Sequence, residues 1–485
     1  MSTPKSVQPA TALRRFGLGA RPGEMKRIAA DPQGYVLQAL ASPQAAQIDS
    51  PDLEPSHITL ASLQVLGQQK KLADTVKRER ALELAQASVT DKANGELMRE
   101  APPAAAGAKG EPQLKPGRVR RDVFQEEASQ RFAHQIATDA PFLERLVMFW
   151  SNHFCVASNK GNVRGLAGAF EREAIRPHVL GRFADMLLAV EQHPAMLIYL
   201  DNQISIGPNS QAGRNRQKGL NENLAREILE LHTLGVGGGY AQADVTNFAR
   251  IITGWSIGNL NQPQGVPGKF FFFPPRHEPG TWSVAGKTYA DEGRKSGEKV
   301  LADLARHPAT AHHIAVKLAR HFVSDHAPAA LVARLEKSFR ESDGDLAALA
   351  RTLATSEEAW AEPAHKIVPP TDFLVALSRG FGLPTKAPEL LRLSLSLGQP
   401  LWTPPSPKGW PDDDHAWLAP SAIRERLRIA QQAARQADRL SDPRGLAEDL
   451  LGPVLGSETR QTIARAETRE QGFELMIMSP EFLRR

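Results

Sequence analysis

Cysteine and long apolar runs are scarce in this sequence, and each scarcity excludes a class of protein. Cys155 is the single cysteine among 485 residues, so the chain offers no internal disulfide framework and no thiolate zinc site. We expect Cys155 to be a small buried residue. No stretch approaches the about 18 apolar residues of a transmembrane helix, so no membrane span is predicted. Residues 1–23 lack the apolar core of a signal peptide, which predicts a cytoplasmic protein.

A strong charge of one sign is also missing. The 59 Lys and Arg residues are nearly balanced by 54 Asp and Glu residues, which leaves a formal net charge of +5. This small excess is spread along the chain without a basic stripe or a reading motif, so we expect no nucleic-acid binding. Hydrophobic residues, in contrast, make up 41% of the chain, which is enough to bury a sizeable core.

The densest group of reactive side chains lies in residues 221–255, NENLAREILELHTLGVGGGYAQADVTNFARIITGW. Its first part has helical spacing, with His232 on the apolar half. The opposite face is polar and carries Glu222, Arg226, Glu227 and Glu230. Gly235 is predicted to end this helix in a left-handed conformation. A second helix follows, with Asp244 in its first turn, where the helix dipole favours a carboxylate.

Two interpretations of this polar face are open. In the first, Glu222, Arg226 and Glu230 form a solvated ladder, in which each pair contributes only about 0.2–0.5 kcal/mol. In the second, the face lines a polar cleft and Arg226 holds the two acids ionised and in place. His232 is likewise either a core histidine with one satisfied hydrogen bond or a functional residue. The glycine loop is not a phosphate loop, because it follows a helix and precedes no Lys-Ser/Thr pair.

These residues resemble the signature of a large bacterial family, domain of unknown function 1800 (DUF1800). The matching pattern is N-E-N-x-A-R-E, then E-L-H-T-L-G-V, a Tyr, an Asp-Val pair and a closing T-G-W. Ala241 departs from the family's Thr or Ser, which implies that Asp244 is a weaker capping partner here or that Gln242 substitutes. Because the motif fixes the polar face, we expect Arg226 to be buried in a polar network.

The same resemblance extends to three further segments. Trp150-Ser-Asn-His-Phe154 matches an F-W-x-N-H-F motif, and His153 lies at the edge of its apolar stripe. The charged run 171–180, EREAIRPHVL, also matches, although such a run is usually a solvated face. His277-Glu278 stands where the family favours His-Asp, and if Glu278 orients His277 as a hydrogen-bond partner, the pair still works in principle. The resemblance brings no reaction with it. It implies that members are often exported and accompany a possible phosphatase-like protein partner.

The remaining pattern predicts a mainly α fold: a large multi-helix domain with one small β-hairpin or flap. Residues 60–120 are predicted as a helical and disordered insertion, whose Pro-, Ala- and Gly-rich part is 101–119. The strand signals are KFFFF at 269–273 and a run from Thr281 to Tyr289, with a turn at Ala285-Gly286. We expect one domain over residues 1–485.

A loop rich in proline and tryptophan spans residues 400–420. Its three tryptophans, Trp402, Trp410 and Trp417, are separated by prolines and by an acidic run, 412–414. Two interpretations are open: an aromatic wall for a sugar or aromatic ligand, or a loop that is merely stapled onto the core.

Two hypotheses of function follow. The first is an enzyme of the hydrolase or lyase type, with a carboxylate, His and Arg site between helices. Its candidate residues are His153, Glu222, Arg226, Glu227, Glu230, His232, Asp244 and His277. Here His153 or His277 is the base, Glu227 or Glu230 its partner, and Arg226 an anion clamp. A divalent metal is an open alternative without a supporting motif. The second hypothesis is a non-catalytic accessory or binding protein paired with a phosphatase-like partner, in which the polar residues form a structural network.

Overall fold

The chain folds mainly into α-helices, as its apolar periodicity predicts. A computed structural model describes residues 8–93, 115–214, 219–262, 264–361, 366–383, 386–437 and 442–485. The helices of the first third are α1 Gln8–Arg14, α2 Glu24–Ile28, α3 Pro32–Gln38, α4 Ser56–Ala93, α5 Pro116–Ala137 and α6 Pro141–His153. The exposed helical segment expected after residue 60 is the single long helix α4.

One boundary differs from the prediction. The loop predicted at 101–119 is wrong at its end, since Pro116 to Val119 form the first turn of α5. Proline suits this position because its fixed φ is already helical and its missing N–H would be unbonded in a first turn anyway. The rest of that predicted loop, up to residue 114, lies outside the described residues.

The middle of the chain contains five α-helices and two π-helical turns within its described residues. The α-helices are α7 Ala167–Phe170, α8 Phe183–Glu191, α9 Pro194–Tyr199, α10 Asn223–Glu227 and α11 Gln242–Ile251. The π-helical turns are Glu171–Ile175, which continues α7, and Ile228–His232, which continues α10. Each inserts one extra residue per turn and rotates the side chains that follow, and such turns occur frequently at functional sites.

The described strands form two small antiparallel sheets. The strands are β1 Trp255–Ile257, β2 Phe270–Phe272, β3 Trp282–Val284 and β4 Lys287–Tyr289. The expected hairpin is β3–β4, joined at Ala285 and Gly286, whose φ values of 47° and 78° match a tight hairpin turn. The phenylalanine-rich strand β2 instead pairs with β1, with Trp255 opposite Phe272.

The last third is helical, with proline or a short polar cap at most helix starts. Its helices are α12 Arg294–Ala305, α13 Pro308–Phe322, α14 Ala329–Glu341, α15 Leu346–Thr355, α16 Glu357–Trp360, α17 Pro370–Phe381, α18 Ala387–Ser396, α19 Pro420–Ala437, α20 Pro443–Leu450, α21 Ser457–Ala464, α22 Arg469–Ile477 and α23 Pro480–Leu483. Short 3-10 turns occur at Ala39–Ala41, Pro43–Ala46, Gly161–Gly165, Arg176–His178, Asn202–Ile204, Pro274–Arg276, Asp414–Trp417 and Gly452–Val454.

Helix α6 lies deep in the core and carries polar residues with it. Its predicted apolar stripe, including Leu146 and Trp150, is buried as expected. Glu144 and Arg145 on the same helix are also almost fully buried. A buried charge is tolerated only with internal partners, so α6 must be surrounded by ion pairs and hydrogen bonds. The candidate site is built from these partners.

Candidate functional site

The polar face of α10 lies at the surface. Arg226 Nη2 donates to Glu222 Oε2 over 2.9 Å, and the two side chains are 37% and 29% exposed. Thr246 Oγ1 donates to Glu222 Oε1 over 2.7 Å, and this hydrogen bond is the largest cause of the lowered pKa of Glu222. The expectation that Arg226 is buried is therefore wrong, but the pair does belong to a polar network at the surface: Gln242 Oε1 accepts from Arg226 Nη1 over 3.1 Å, and Gln242 Nε2 donates to Glu222 Oε2 over 2.8 Å.

Glu227 and Glu230 lie further along the same helix. Glu227 is half-buried, and burial raises its pKa, while the charge of His232 opposes this effect. Glu230 lies beside Tyr240, whose pKa is raised by burial and then by this carboxylate. Within the described residues Glu227 makes no hydrogen bond or ion pair, so its carboxylate is available to an incoming group.

The two signature histidines are buried neighbours. His232 Nδ1 lies 2.7 Å from Glu191 Oε1, and both side chains are at most 1% exposed. His153 Nε2 donates to the carbonyl oxygen of His232 over 3.2 Å, which leaves its Nδ1 buried without a partner in the described structure. Burial is the largest cause that holds the pKa of His153 well below its ordinary value. His153 is therefore neutral near pH 7.

Helix α13 brings further basic groups that the sequence interpretation did not select. His313 Nε2 donates to the carbonyl oxygen of Leu231 over 3.1 Å, and burial lowers the pKa of His313 to about 4. Lys317 and His321 follow at intervals of four residues on the same helix face. Burial also lowers the pKa of Lys317. This regular i, i+4 spacing is the sequence signal by which the row could have been found.

Asp244 and His277 form hydrogen bonds next to the β-strands. Asp244 Oδ2 accepts from Ala241 N over 2.8 Å and Oδ1 accepts from Ala285 N over 3.0 Å, so this carboxylate caps α11 and fixes the hairpin turn. The expected weakening of Asp244 is therefore not seen. His277 Nε2 lies 3.1 Å from Asp291 Oδ1. Glu278 does not orient His277: its carboxylate accepts from Asn209 N over 2.7 Å.

The eight predicted residues thus fall into separate groups. The structure brings together the pair Glu222 and Arg226 at the surface, the buried pair His153 and His232, and, apart from these, Asp244 and His277 at the β segments. Glu227 and Glu230 lie between the first two groups on α10 and its π-helical continuation. None of the eight is among the side chains that line the cavity formed by the proline- and tryptophan-rich loop.

That cavity, which we call the tryptophan pocket, has a volume of about 90 Å³ and opens to solvent. Its walls combine the loop with α5, α6, α13 and α17. The lining residues are Arg131, Met148, Ser151, Asn152, Cys155, Val156, Phe170, His321, Pro369, Thr371, Asp372, Gln399, Pro400, Leu401, Trp402, Pro404, Trp410, Pro411, Asp412 and Trp417. All three loop tryptophans line it. The loop thus both packs onto the core and forms the wall of a cavity.

Asn152 fixes the loop to α6. Its Nδ2 donates to the carbonyl oxygen of Trp410 over 2.9 Å, and its Oδ1 accepts from Trp410 N over 2.7 Å. Gly409 has a φ of 86°, and a Cβ there would lie 2.5 Å from the backbone oxygen of Asn152. Trp402 has a φ of 46°, a strained conformation for a bulky residue that is found mainly at functional sites.

A buried carboxylate in the first π-helical turn supports the pocket from behind. Glu171 Oε2 accepts from Arg131 Nε over 2.9 Å, from Ser151 Oγ over 2.8 Å and from Trp402 Nε1 over 3.2 Å. Arg176 Nη2 donates to its other oxygen over 2.8 Å. Burial alone would raise the pKa of Glu171, but the two arginines and these donors lower it to about 2. The charged run at 171–180 is thus partly a core network and not a solvated face.

His321 and Asp412 form a hydrogen-bonded pair in the pocket wall. His321 Nδ1 lies 2.8 Å from Asp412 Oδ1. Burial would raise the pKa of Asp412, but the hydrogen bond from His321 and the nearby lysines outweigh it and lower that pKa. The carboxylate therefore accepts, and His321 donates through Nδ1–H. His321 is 8% exposed, and its Nε2 is buried without a partner among the described residues.

Two other chemistries are constrained by the same geometry. Burial raises the pKa of Cys155 to about 12, so this pocket residue is a neutral thiol and not a thiolate nucleophile near pH 7. Within the segments that the structure describes, no group of three or more His, Cys, Asp or Glu side chains is arranged to hold a metal ion. In those segments there is also no helix both long and apolar enough to cross a bilayer.

Comparison with known proteins gives one match. The family described as "Protein of unknown function (DUF1800)" matches residues 11–484. No curated protein and no solved structure matches the chain.

Proposed function

The chain belongs to the DUF1800 family over nearly its full length, and we propose that it is an enzyme of the hydrolase or lyase type whose reaction takes place in the tryptophan pocket. The observation that carries this proposal is His321, a residue of the cavity wall whose imidazole is held by Asp412 over 2.8 Å and whose Nε2 has no partner among the described residues. A histidine oriented by a carboxylate is a recurring general base, because the carboxylate fixes the tautomer and stabilises the imidazolium that forms.

In this proposal His321 Nε2 accepts a proton either from a water molecule that attacks the substrate or from a carbon of the substrate. In the first case, hydrolysis, water forms the new bond, the bond to the leaving group breaks, and the imidazolium returns the proton to that group. In the second case, elimination, the electrons of the C–H bond form a double bond, and the leaving group departs with the electrons of its own bond and takes the proton from the imidazolium. Asp412 remains ionised and balances the positive charge that develops on the imidazole ring. The indole rings of Trp402, Trp410 and Trp417 exclude bulk water and orient the substrate. Exclusion of water strengthens every electrostatic interaction in the cavity.

The test is a screen of ester, amide, glycoside, phosphoester and elimination substrates with the purified protein and two variants. His321→Gln should reduce kcat/KM by roughly 100-fold or more, since general base catalysis contributes about 10²–10⁴. Glu227→Gln serves as the comparison. The carboxylate of Glu227, on α10, has no hydrogen-bond partner among the described residues, and Glu227 does not line the pocket. If His321→Gln keeps full activity and Glu227→Gln loses it, the reaction takes place beside α10 and not in the tryptophan pocket. His153 is then a nearer candidate for the base than His321.

A non-catalytic role paired with a phosphatase-like partner is the second candidate. It is favoured by one observation: Glu222, Arg226, Asp244 and His232 are each bonded to neighbouring protein groups, as expected of a structural network. The measurement is co-purification of the tagged chain with a phosphatase-like protein from its own cells. A stable complex whose affinity depends on the exposed Arg226, together with no turnover in the screen, would favour this role over the enzyme.

A further inference from the structure

Most polar groups of the tryptophan pocket are already used by the protein itself. Asn152 is bonded through both amide atoms to the backbone of Trp410. Gln399 Oε1 accepts from the amide and the hydroxyl of Thr371, both over 2.9 Å. Ser151 donates to Glu171 over 2.8 Å. These groups shape the cavity but have little capacity left for a ligand.

This saturation bears on the class of ligand. A sugar ring carries a hydroxyl on most of its carbons, and each hydroxyl that enters a cavity without a hydrogen-bond partner loses its bonds to water and weakens binding. The walls offer three indole rings, prolines and a methionine, which match a flat apolar ring better than a polyhydroxylated one. Of the two ligand classes that an aromatic wall suits, the saturated polar lining therefore favours the planar apolar ring.

Arg131 is one of the exceptions to this saturation, together with Nε2 of His321 and the amide nitrogen of Gln399, which have no hydrogen-bond partner among the described residues. Arg131 lines the cavity and is 6% exposed, and its Nε donates to Glu171. Its two terminal nitrogens have no hydrogen-bond partner in the described part of the chain. The guanidinium lies 5.7 Å from the ring centroid of Trp402. A guanidinium with its inner nitrogen anchored and its outer nitrogens open is preorganised to bind an oxyanion through two parallel hydrogen bonds.

We infer that the tryptophan pocket takes a small planar ring that bears an oxyanion, a carboxylate or a phosphate, with the ring against the tryptophans and the oxyanion on Arg131. This assignment rests on the proposed function, whose substrate class it names. Glu171 is the positioning residue for this recognition, because one carboxylate holds Arg131, Ser151 and Trp402 together. The cavity volume of about 90 Å³ limits the enclosed part to roughly a single ring.

Isothermal titration calorimetry with four probes tests the ligand class. Benzoate and phenyl phosphate carry the two oxyanions, benzamide is a neutral analogue of benzoate, and methyl glucoside represents a sugar. We expect at least one oxyanion to bind and to exceed benzamide by roughly 10-fold or more, since hydrogen bonds to a charged group contribute about 1.5–3 kcal/mol. Tighter binding of methyl glucoside, or equal binding of benzoate, phenyl phosphate and benzamide, would overturn the inference.

Arg131→Lys tests the residue, because it keeps the positive charge beside Glu171 but removes the two-pronged donor. It should weaken the oxyanion probe by roughly 10- to 100-fold. Arg164→Lys is the matched control, since Arg164 is exposed and does not line the pocket. Unchanged affinity in Arg131→Lys contradicts the inference.

A third variant distinguishes a failure of the proposed function from a failure of the ligand assignment. His321→Gln removes the proposed base but should leave the affinity for the oxyanion probe within roughly 3-fold of the wild-type value. If a substrate is turned over in a His321-dependent way while Arg131→Lys binds oxyanions normally, only the ligand assignment is wrong. If Arg131-dependent binding is found but no substrate is turned over, the pocket is a binding site and the enzymatic proposal is the one that fails.

Discussion

At the scale of single residues, burial separates the acids that matter to stability from those that do not. Glu171 and Glu222 both face arginines, yet Glu171 is 2% exposed and the side chain of Glu222 is 29% exposed. A buried carboxylate has lost its hydration and depends on its partners, whereas water screens a surface pair and competes with it. The two pairs should therefore respond very differently to the same substitution.

Glu171→Gln should lower the free energy of unfolding by about 3–5 kcal/mol, because it leaves Arg131 and Arg176 buried beside a neutral amide. Glu222→Gln, the matched control, should cost less than about 1 kcal/mol. Urea denaturation of the two variants and the wild type measures both values. Equal losses would show that the ion pairs around Glu171 are not a buried network.

The buried histidines predict a pH dependence with a definite sign. The pKa of His313 in the folded chain is about 4, and that of His153 is well below its ordinary value. Protons therefore bind more readily to the unfolded chain, whose histidines titrate near about 6.5. The stability contributed by these groups is complete above that pH and decreases as the pH falls from about 6.5 toward 4, by about 1.4 kcal/mol per pH unit for each proton.

Urea denaturation at several pH values between about 7 and 4.5 tests this dependence. His153→Gln should flatten the decline, while the exposed His415→Gln should leave it unchanged. Glu171 and Glu173, whose pKa values are lowered to about 2, lose their contributions only at lower pH, below the ordinary titration of a glutamate near about 4.3. A slope that His153→Gln does not alter would mean that this ring is protonated without unfolding.

At the scale of elements, the sequence predicted the features that depend on local patterns, which are the helices and the hairpin turn. The mainly α fold that the apolar spacing predicts is observed, and the hairpin turn lies at the predicted residues Ala285 and Gly286. The π-helical turns at Glu171 and Ile228 were not predicted, because one inserted residue leaves no mark on a pattern with a period near 3.6. Their consequence is large, since the first aims Glu171 at partners from three separate segments.

The proline- and tryptophan-rich loop depends on one glycine for its docking. A Cβ at Gly409 would lie 2.5 Å from the backbone oxygen of Asn152, so Gly409→Ala must displace either the loop or α6. The control is Gly398→Ala, whose φ of 83° is similar but whose surroundings are open. Both variants suffer the strain of a left-handed conformation, about 1–3 kcal/mol, and only Gly409→Ala adds a backbone collision.

We therefore expect Gly409→Ala to lose more unfolding free energy than Gly398→Ala and to weaken the binding of the oxyanion probe to the tryptophan pocket, while Gly398→Ala binds normally. Calorimetric titration and denaturation of the pair measure both effects. Equal losses of stability with intact binding would show that the contact between Gly409 and Asn152 does not fix the pocket.

At the scale of the whole molecule, the site was only partly predictable because it is assembled from distant segments. The sequence offered an aromatic wall of Trp402, Trp410 and Trp417 as one of two interpretations, and it placed Asn152 in a motif. No local sequence pattern, however, predicts that these residues lie near Arg131 or His321. Their proximity results from tertiary packing, because α5, α6 and α13 all pack against the proline- and tryptophan-rich loop. Residues 221–255 contain the densest group of reactive side chains, but their first helix, α10, instead places Glu222 and Arg226 at the surface.

The same long-range joining leads to a prediction about cooperativity. Arg379 is fully buried and donates to Gly19 O over 3.0 Å, to Thr138 O over 3.1 Å and to Glu24 Oε2 over 3.3 Å. One side chain thus connects the first helices, the end of α5 and helix α17. If the chain is the single domain that its sequence suggests, these segments unfold together, and loss of this connection destabilises all of them at once.

Arg379→Met should therefore shift one undivided calorimetric transition to lower temperature, with a loss of about 3–5 kcal/mol, because the buried carboxylate of Glu24 loses one of its two arginine partners and keeps only Arg27. Arg340→Met, at a side chain that is 56% exposed, should leave the transition almost unchanged. A transition that splits into two steps, one of them at the wild-type temperature, would show that the N-terminal helices and α17 belong to units that unfold independently. The polar connections through Arg379 would then join two domains rather than stabilise one.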